Sequence, residues 1–435
     1  MMFPTAPIGA LFEVKNGATP KSDETRFWDG EVPWVTPADL GRLEKAVISQ
    51  GAKSITIDGL KSCGTQIVPK GSLILSIRAP IGHLAVAEND MCFNQGCRGL
   101  IPRKHLNPDF SFWALSSAKP ALQNAGQGTT FMELGRGRLR AVHLSVPDLP
   151  TQKRIAKFLD RETARIDELI VKKERLVDAQ RNRLNATLKM KVLGGASVQR
   201  GLGGDWLQGL PEGWRLTPLK HLVSVMGGAT PSKDREDFWI GEIPWVSPKD
   251  MKTDIISEVP DHVSEAAVDS SALQMIPEQA VLIVVRGMIL ARFVPVCRLG
   301  VAATINQDMK ALLPRKTVIR GDYLQRMLQG FGDVLMSFIE EAAHGTKKLR
   351  SDALFGLKFP VPPLDLQKQI VDEYERLRVW SEKVSEVTLA SIERLREYRA
   401  ALITAAVTGQ IDVDTYAKAS TTSAMLDRIA AEVTG

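Results

Sequence analysis

Four cysteines and six histidines in 435 residues leave little material for metal or redox chemistry. Cys63, Cys92, Cys97 and Cys297 form no C-x-x-C pair and no histidine clusters with them. The sequence therefore predicts free thiols, no metal site and a cytoplasmic setting. Long apolar runs are missing as well. No stretch of about 18 apolar residues occurs, which argues against a membrane span. The opening MMFPTAPIGALFEV has no basic segment leading into an apolar one, so no signal peptide is expected. Charge of one sign is also modest: 56 Lys and Arg against 50 Asp and Glu leave +6, which permits a nucleic-acid partner without demanding one. Apolar residues at 44% and charged residues at 24% are ordinary for folded protein, and the length favours more than one core.

What is abundant is repetition. LFEVKNGATPKSDETRFWDGEVPWVTPADL, from Leu11, and LVSVMGGATPSKDREDFWIGEIPWVSPKDM, from Leu222, are identical at 16 of 30 ungapped positions. Weaker anchors follow in the same order. IVPKGSLILSIRA from Ile67 answers MIPEQAVLIVVRG from Met275, which sets Arg78 opposite Arg286. Asn94-Gln95 answers Asn306-Gln307, Gly128-Thr129 answers Gly345-Thr346, and VPDLPTQKRI from Val146 answers VPPLDLQKQI from Val361. Within each copy LFEV, LILSI and VLIVV read as strands. FSFWALSSAKPALQNA and DYLQRMLQGFGDVLMSFIEEAA read as helices. Each copy is thus expected to be a compact α/β domain.

Both domains end in a proline-rich corner that opens a long helix, where a missing amide hydrogen costs nothing. The first helix spaces Ile155, Leu159, Ile166, Leu169, Lys173, Leu176 and Gln180 near steps of three and four. The second gives Ile370, Tyr374, Leu377, Ser381, Val384, Thr388, Ser391, Leu395, Tyr398 and Leu402. These are coiled-coil spacings, and apolar residues off the seam broaden the face available to partners. A helix of about 40 residues needs a companion along its length. Antiparallel pairing of the two would put one domain at each end, parallel pairing would put both at one end, and each helix could also fold back on its own domain. The expected architecture is two similar α/β domains separated by a pair of long antiparallel helices. The boundaries read 1–150 and 210–363 for the domains and 151–193 and 364–409 for the helices. The connection spans 194–209 and the tail 410–435.

Chemistry is harder to find. Asn107-Pro108-Asp109-Phe110 approaches the element with which adenine methyltransferases hold their target amino group, but it lacks the second proline and a preceding F-x-G-x-G loop. It reads as a turn opening a helix. The glycine-rich stretch from Leu134 to Leu139 follows no phosphate-loop strand, and no Walker motif, Ser/His/Asp set or nuclease pattern stands out. Candidates for contact with a polyanion are clearer. Arg136, Arg138 and Arg140 sit late in the first domain, and Lys347, Lys348 and Arg350 sit at the matching place in the second. Arg78 and Arg286 end apolar strands and lead into segments where the copies diverge. Asn94, Gln95, Asn306 and Gln307 can bond adenine edges or simply their own turns. Trp28, Trp34, Trp239 and Trp245, held in both copies, read as structural frame. Duplicated domains also suit a protein-binding scaffold or a DNA-binding protein of another kind, and scattered residues could still converge into an enzyme site.

In order and duplication these motifs resemble the specificity (S) subunits of type I restriction-modification systems. The resemblance rests on Gly17-Ala18-Thr19-Pro20 through Pro33-Trp34-Val35-Thr36 and its second copy, Leu210-Pro211-Glu212-Gly213-Trp214, Gln152-Lys153-Arg154-Ile155, Gln367-Lys368-Gln369-Ile370 and the run Leu402–Ile411. It covers roughly residues 8–412. The first unit departs from it by lacking a Pro-Glu-Gly-Trp opening and by ending in LKMKVLGG. The resemblance implies two target recognition domains, each reading half of a bipartite duplex DNA site, and no catalytic residue or cofactor in this chain. It also implies two modification subunits that methylate adenine at N6 with S-adenosylmethionine, and two restriction subunits that use ATP and Mg2+. On that reading Ile155, Leu159, Ile166, Leu169, Leu176, Ile370, Tyr374, Leu377, Val384, Leu395 and Leu402 serve the helix seam and partner docking.

Overall fold

The computed structural model describes residues 2–43, 46–127, 132–195, 197–198, 207–341 and 345–419. Gly128-Thr129, most of the connecting segment and the tail beyond residue 419 lie outside them. The chain divides into two compact units, Met1–Leu176 with Thr388–Gly435, and Val177–Val387.

The first unit is built on strands β1 (Thr5–Pro7), β2 (Phe12–Asn16), β3 (Trp28–Val35), β4 (Val47–Ile48), β5 (Lys53–Ile55), β6 (Leu73–Ser76), β7 (Leu84–Ala87), β8 (Cys92–Phe93), β9 (Cys97–Pro102) and β10 (His143–Ser145). Its main sheet has the order β2-β9-β6-β7-β4, antiparallel except where β4 joins β7. A smaller sheet, β5-β3-β8, carries the repeated FW…PWV segment, and β1 pairs with β10. The unbroken apolar run at β6 follows from its place. Leu73, Leu75 and Ile77 enter one core while Ile74 enters another, so both faces of the strand are covered. Helix α1 (Pro108–Ser117) supplies Phe110, Trp113 and Leu115 to the first of these cores, and the short helix α2 (Arg136–Ala141) supplies Leu139.

The second unit repeats the scheme. Its five-stranded sheet runs Val223–Gly227, Met309–Pro314, Val281–Val284, Val296–Leu299 and Ile255–Ile256, each strand the counterpart of one above.

The long helices are α3 (Leu149–Leu193) and, in the second copy, α6 (Leu364–Thr408), each 45 residues. The second copy also holds α4 (Gly321–Gly330) and α5 (Ser351–Gly356), counterparts of α1 and α2, and α7 (Val413–Ala419) follows α6. In the first unit Ile155, Leu159, Ile166 and Leu169 of α3 share a core with Ile392, Leu395, Leu402 and Ala406 of α6. Arg399 pairs with Asp167 at 2.9 Å, and Arg396 with Glu174 at 2.9 Å. In the second unit Leu188, Val192 and Leu193 of α3 meet Ile370, Val371 and Tyr374 of α6, and Lys191 pairs with Glu373. Residue numbers fall along one helix as they rise along the other, so the pairing is antiparallel. Each helix also packs on its own domain, so two of the arrangements open in sequence hold together.

Two departures from the sequence reading have physical causes. The second seam row lies one residue from the expected one. Tyr374, Ser381, Thr388, Leu395 and Leu402 are buried as expected, but their companions are Ile392 and Ala406, flanked by half-buried Arg378, Ser385 and Arg399. Arginine can lie there because its stem covers apolar surface while its head reaches Glu375, Glu382 or Asp167. Leu377 is 42% exposed, Leu176 and Val384 are half-buried, and Val177 is buried beside Leu176. The stretch expected to extend α4 as helix instead forms a strand, Ile339–Glu341. It pairs with Lys347–Leu349 and helps bury Leu349 completely, a tertiary gain that overrides local helix preference.

The unmatched ends of the first unit also find their equivalents. Each long helix stops at a glycine with positive φ, Gly194 at 59° and Gly409 at 77°, a conformation that costs a side chain but not glycine. Trp214 covers Gly194, while the Phe3 amide donates to Thr408 O at 3.2 Å at the end of α6.

Candidate nucleic-acid interface

The repeated motif is a frame whose polar groups are spent on itself. Trp34 Nε1 donates to Ala18 O and Trp245 Nε1 to Ala229 O, both at 3.0 Å. Trp28 and Trp239 donate to Lys21 O and Ser232 O, and each meets its companion indole edge-on, at 5.2 and 5.1 Å. A Cβ on Gly17 or Gly228 would come within 2.2 Å of a main-chain oxygen of Asn94 or Asn306, so that position tolerates only glycine. Thr36 with Asp39, and Ser247 with Asp250, close reciprocal capping boxes. Asn107 simply caps α1, its Oδ1 accepting from Phe110 N at 2.9 Å.

The Asn-Gln pairs divide their work. Asn94 Oδ1 accepts from Gly96 N at 2.9 Å and Asn306 Oδ1 from Asp308 N at 2.7 Å, so these amides hold turns. Gln95 and Gln307 reach the surface and accept from the hydroxyls of Thr19 and Thr230.

Cationic side chains gather where the central strand ends. Arg78 is exposed just beyond β6, and its guanidinium pairs with Glu133 at 3.0 Å. Arg98, on neighbouring β9, lies in the same electrostatic group. Burial pulls its guanidinium below the ordinary value, Glu133 opposes that, and Arg136 and Arg78 reinforce it. Arg78 and Arg136 thus lie close enough to Arg98 to oppose its charge, and Glu133, the partner of Arg78, close enough to favour it. The main chains of Arg78 and Glu133 also form a β-bridge. In the second copy the matching β-bridge joins Arg286 to Lys348, and no ion pair engages either among the described residues. Lys310 occupies the position of Arg98. Sequence reading missed Arg98 and Lys310, although a basic residue at that column of both copies was the available signal.

The two late basic clusters occupy adjacent positions of the repeated scheme, each in its own unit, and are not equivalents. Leu134 N donates to Ile77 O, and Leu349 N to Val285 O, which fixes the correspondence. Arg136, Arg138 and Arg140 therefore lie after that anchor, on α2, whereas Lys347 and Lys348 lie before it on a strand. Arg138 reaches Ala125 O at 3.4 Å, and Arg140 lies against Gly9. Lys347 pairs with Glu341 and Arg350 with Asp352, each at 2.7 Å.

Burial raises the Cys92 and Cys297 thiols to about 12, and no cluster that could hold a metal occurs among the described residues. No described helix is long and apolar enough to cross a membrane.

The family described as the type I restriction modification DNA specificity domain matches residues 4–176 and again 211–379. The chain belongs to this specificity family. Its two matches fall on the two copies of the duplicated unit, and each runs on into the following long helix, to residue 176 of α3 and residue 379 of α6. Among curated specificity subunits, that of MjaIX from Methanocaldococcus jannaschii is 27% identical over 285 residues, 63% of this chain and 64% of the relative. That of EcoR124I/EcoR124II from Escherichia coli is 34% identical over 269 residues, 60% of this chain and 61% of the relative. The chain thus spans about three fifths of the length of these relatives. A chain from a solved type I restriction-modification system shares the specificity fold, with a TM-score of 0.71, 16% identity and coverage of 94% of this chain and 98% of that one. The HsdS subunit from Thermoanaerobacter tengcongensis shares it with a TM-score of 0.55 at 16% identity, covering 94% and 97%.

Proposed function

We propose that this member of the specificity family reads a bipartite duplex DNA site, one half through each recognition domain, and carries no catalytic group of its own. The observation that carries this reading is the repeated cationic group at the end of the central strand. It is set on a frame common to both copies but bordered by loops that differ between them. Backbone phosphates suit such cations, and the divergent loops suit base readout. Arg78, Arg98 and Arg136 serve the first half-site; Arg286, Lys310 and Lys348 serve the second. Gln95 and Gln307, each held by a threonine, present amides beside them.

Two modification subunits dock on the long helices, and two restriction subunits join through them. Exposed apolar residues on α6 support this: Leu377, Trp380 and Val387 lie along one flank and Val379 and Leu389 on another, all between 42% and 59% exposed. Apolar exposure of that kind on one helix marks an interaction surface. The modification subunits would bring S-adenosylmethionine and the restriction subunits ATP and Mg2+.

Mapping methylated adenines after assembling the chain with modification subunits tests the reading. The expected product is one two-part motif with a fixed gap. Methylation without such a motif, or no preference for any duplex, contradicts it.

A further inference from the structure

Gln152 and Gln367 open the two long helices and are almost completely buried, at 1% and 0% exposure. Buried glutamine is uncommon and must satisfy its amide. Gln152 Oε1 accepts from Asn107 N at 2.8 Å, while Nε2 donates to His105 O at 3.1 Å and Pro147 O at 2.9 Å. Gln367 repeats all three bonds: Oε1 accepts from Arg320 N at 2.9 Å, and Nε2 donates to Val318 O at 3.0 Å and Pro362 O at 2.9 Å. Each amide ties the first turn of a long helix to the residues that start α1 or α4. Every partner atom is main chain, so the bonds survive changes in the recognition domain's side chains.

A second tie recurs eight residues on, about 12 Å along the helix. Trp113 Nε1 donates to Asp160 at 2.8 Å, and Arg326 Nε, from the corresponding position of α4, donates to Glu375 at 2.8 Å. The helix and its domain also share an apolar core, which resists separation but has no direction; two polar ties at separate levels fix the angle.

We infer that Gln152 and Gln367 are positioning residues that, with these second ties, set the angle of each recognition domain on its helix. Through that angle they set the spacer length at which the two half-sites are accepted together. The inference rests on the bipartite reading proposed above. It assigns the fixed gap to two paired latches within the chain. Neither glutamine needs to touch DNA.

The test uses the full chain assembled with modification subunits and a duplex library with constant half-sites and varied spacers. Gln367→Leu keeps the side chain's bulk and removes all three bonds. The expected result is methylation at a neighbouring spacer within about ten-fold of the original, with half-site bases unchanged and circular dichroism as in the parent. A folded variant that keeps a single spacer, or loses activity equally at all spacers, overturns the inference. Should Gln367→Leu not fold, Trp113→Phe decides by the same criterion, because it deletes only the second tie of the first unit. A parent chain that methylates no bipartite motif at any spacer overturns the proposed function, and the latch's part in reading with it.

Discussion

At the scale of residues, Arg78 and Arg286 hold equivalent places in different electrostatic company. Glu133 pairs with the first, while the residue bridged to the second in the same way is another cation, Lys348. Arg286→Ala should therefore cost more affinity than Arg78→Ala, about 1–3 kcal/mol, with the effect confined to the second half-site. Lys348→Ala should weaken all duplexes alike and lower the salt slope of binding by about one. Fluorescence titration at several salt concentrations checks both.

A separate group stiffens the second unit. Arg326, 6% exposed, lies between Asp254 and Glu375, at 2.9 Å from Asp254, and over the Tyr374 ring. Burial pushes the Asp254 carboxyl up, but Arg326, Gln329 and Arg378 together hold it below its ordinary value. A depressed folded pKa means stabilisation that is present above the unfolded value of about 4 and lost as pH falls through the folded one. Melting of the second unit should drop in that acidic window, and Asp254→Asn should remove part of the drop. Arg326→Ala should cost about 2–3 kcal/mol in denaturant titrations, the carboxylates being one-third exposed and able to recover hydration. The sequence displayed Arg78 and Arg286 because both end legible strands. It concealed Arg326 and Trp113, because two such different side chains at one position carry no repeat signal.

At the scale of elements, the long helices were legible in extent but not in register. Leu377 drew the expected seam because apolar residues are the usual sign of burial. The folded helix prefers Ile392 and the stems of Arg378 and Arg399, whose heads find carboxylates that no spacing pattern reveals. Ile392→Ala should destabilise the chain by about 2–5 kcal/mol, as expected for truncating a fully buried side chain. Leu377→Ser should fall within about 0.5 kcal/mol of the parent. Equal costs in denaturant titrations would restore the expected register. Trp380→Ala should leave stability alone and weaken capture of modification subunits, measurable by light scattering.

At the scale of the whole molecule, the duplication explains most of what sequence could reveal. Positions shared by both copies, such as Gly17, Trp34 and the Thr36–Asp39 box, are frame, and their partners are now visible. On the proposed reading, base contacts fall where the copies vary, and a single sequence cannot rank positions that differ between its own two copies. The central claim is that each recognition domain reads its half-site independently. Exchange of residues 1–147 for the recognition domain of another specificity subunit tests it most directly, with methylated adenines mapped before and after. Gln152 would receive the incoming domain through main-chain atoms, and an incoming domain chosen with a tryptophan at the Trp113 position keeps the tie to Asp160, so the exchange preserves its seating. The account predicts a new first half-site, an unchanged second half-site and the same spacer. Alteration of both half-sites, or of neither, in a folded and active assembly would contradict it.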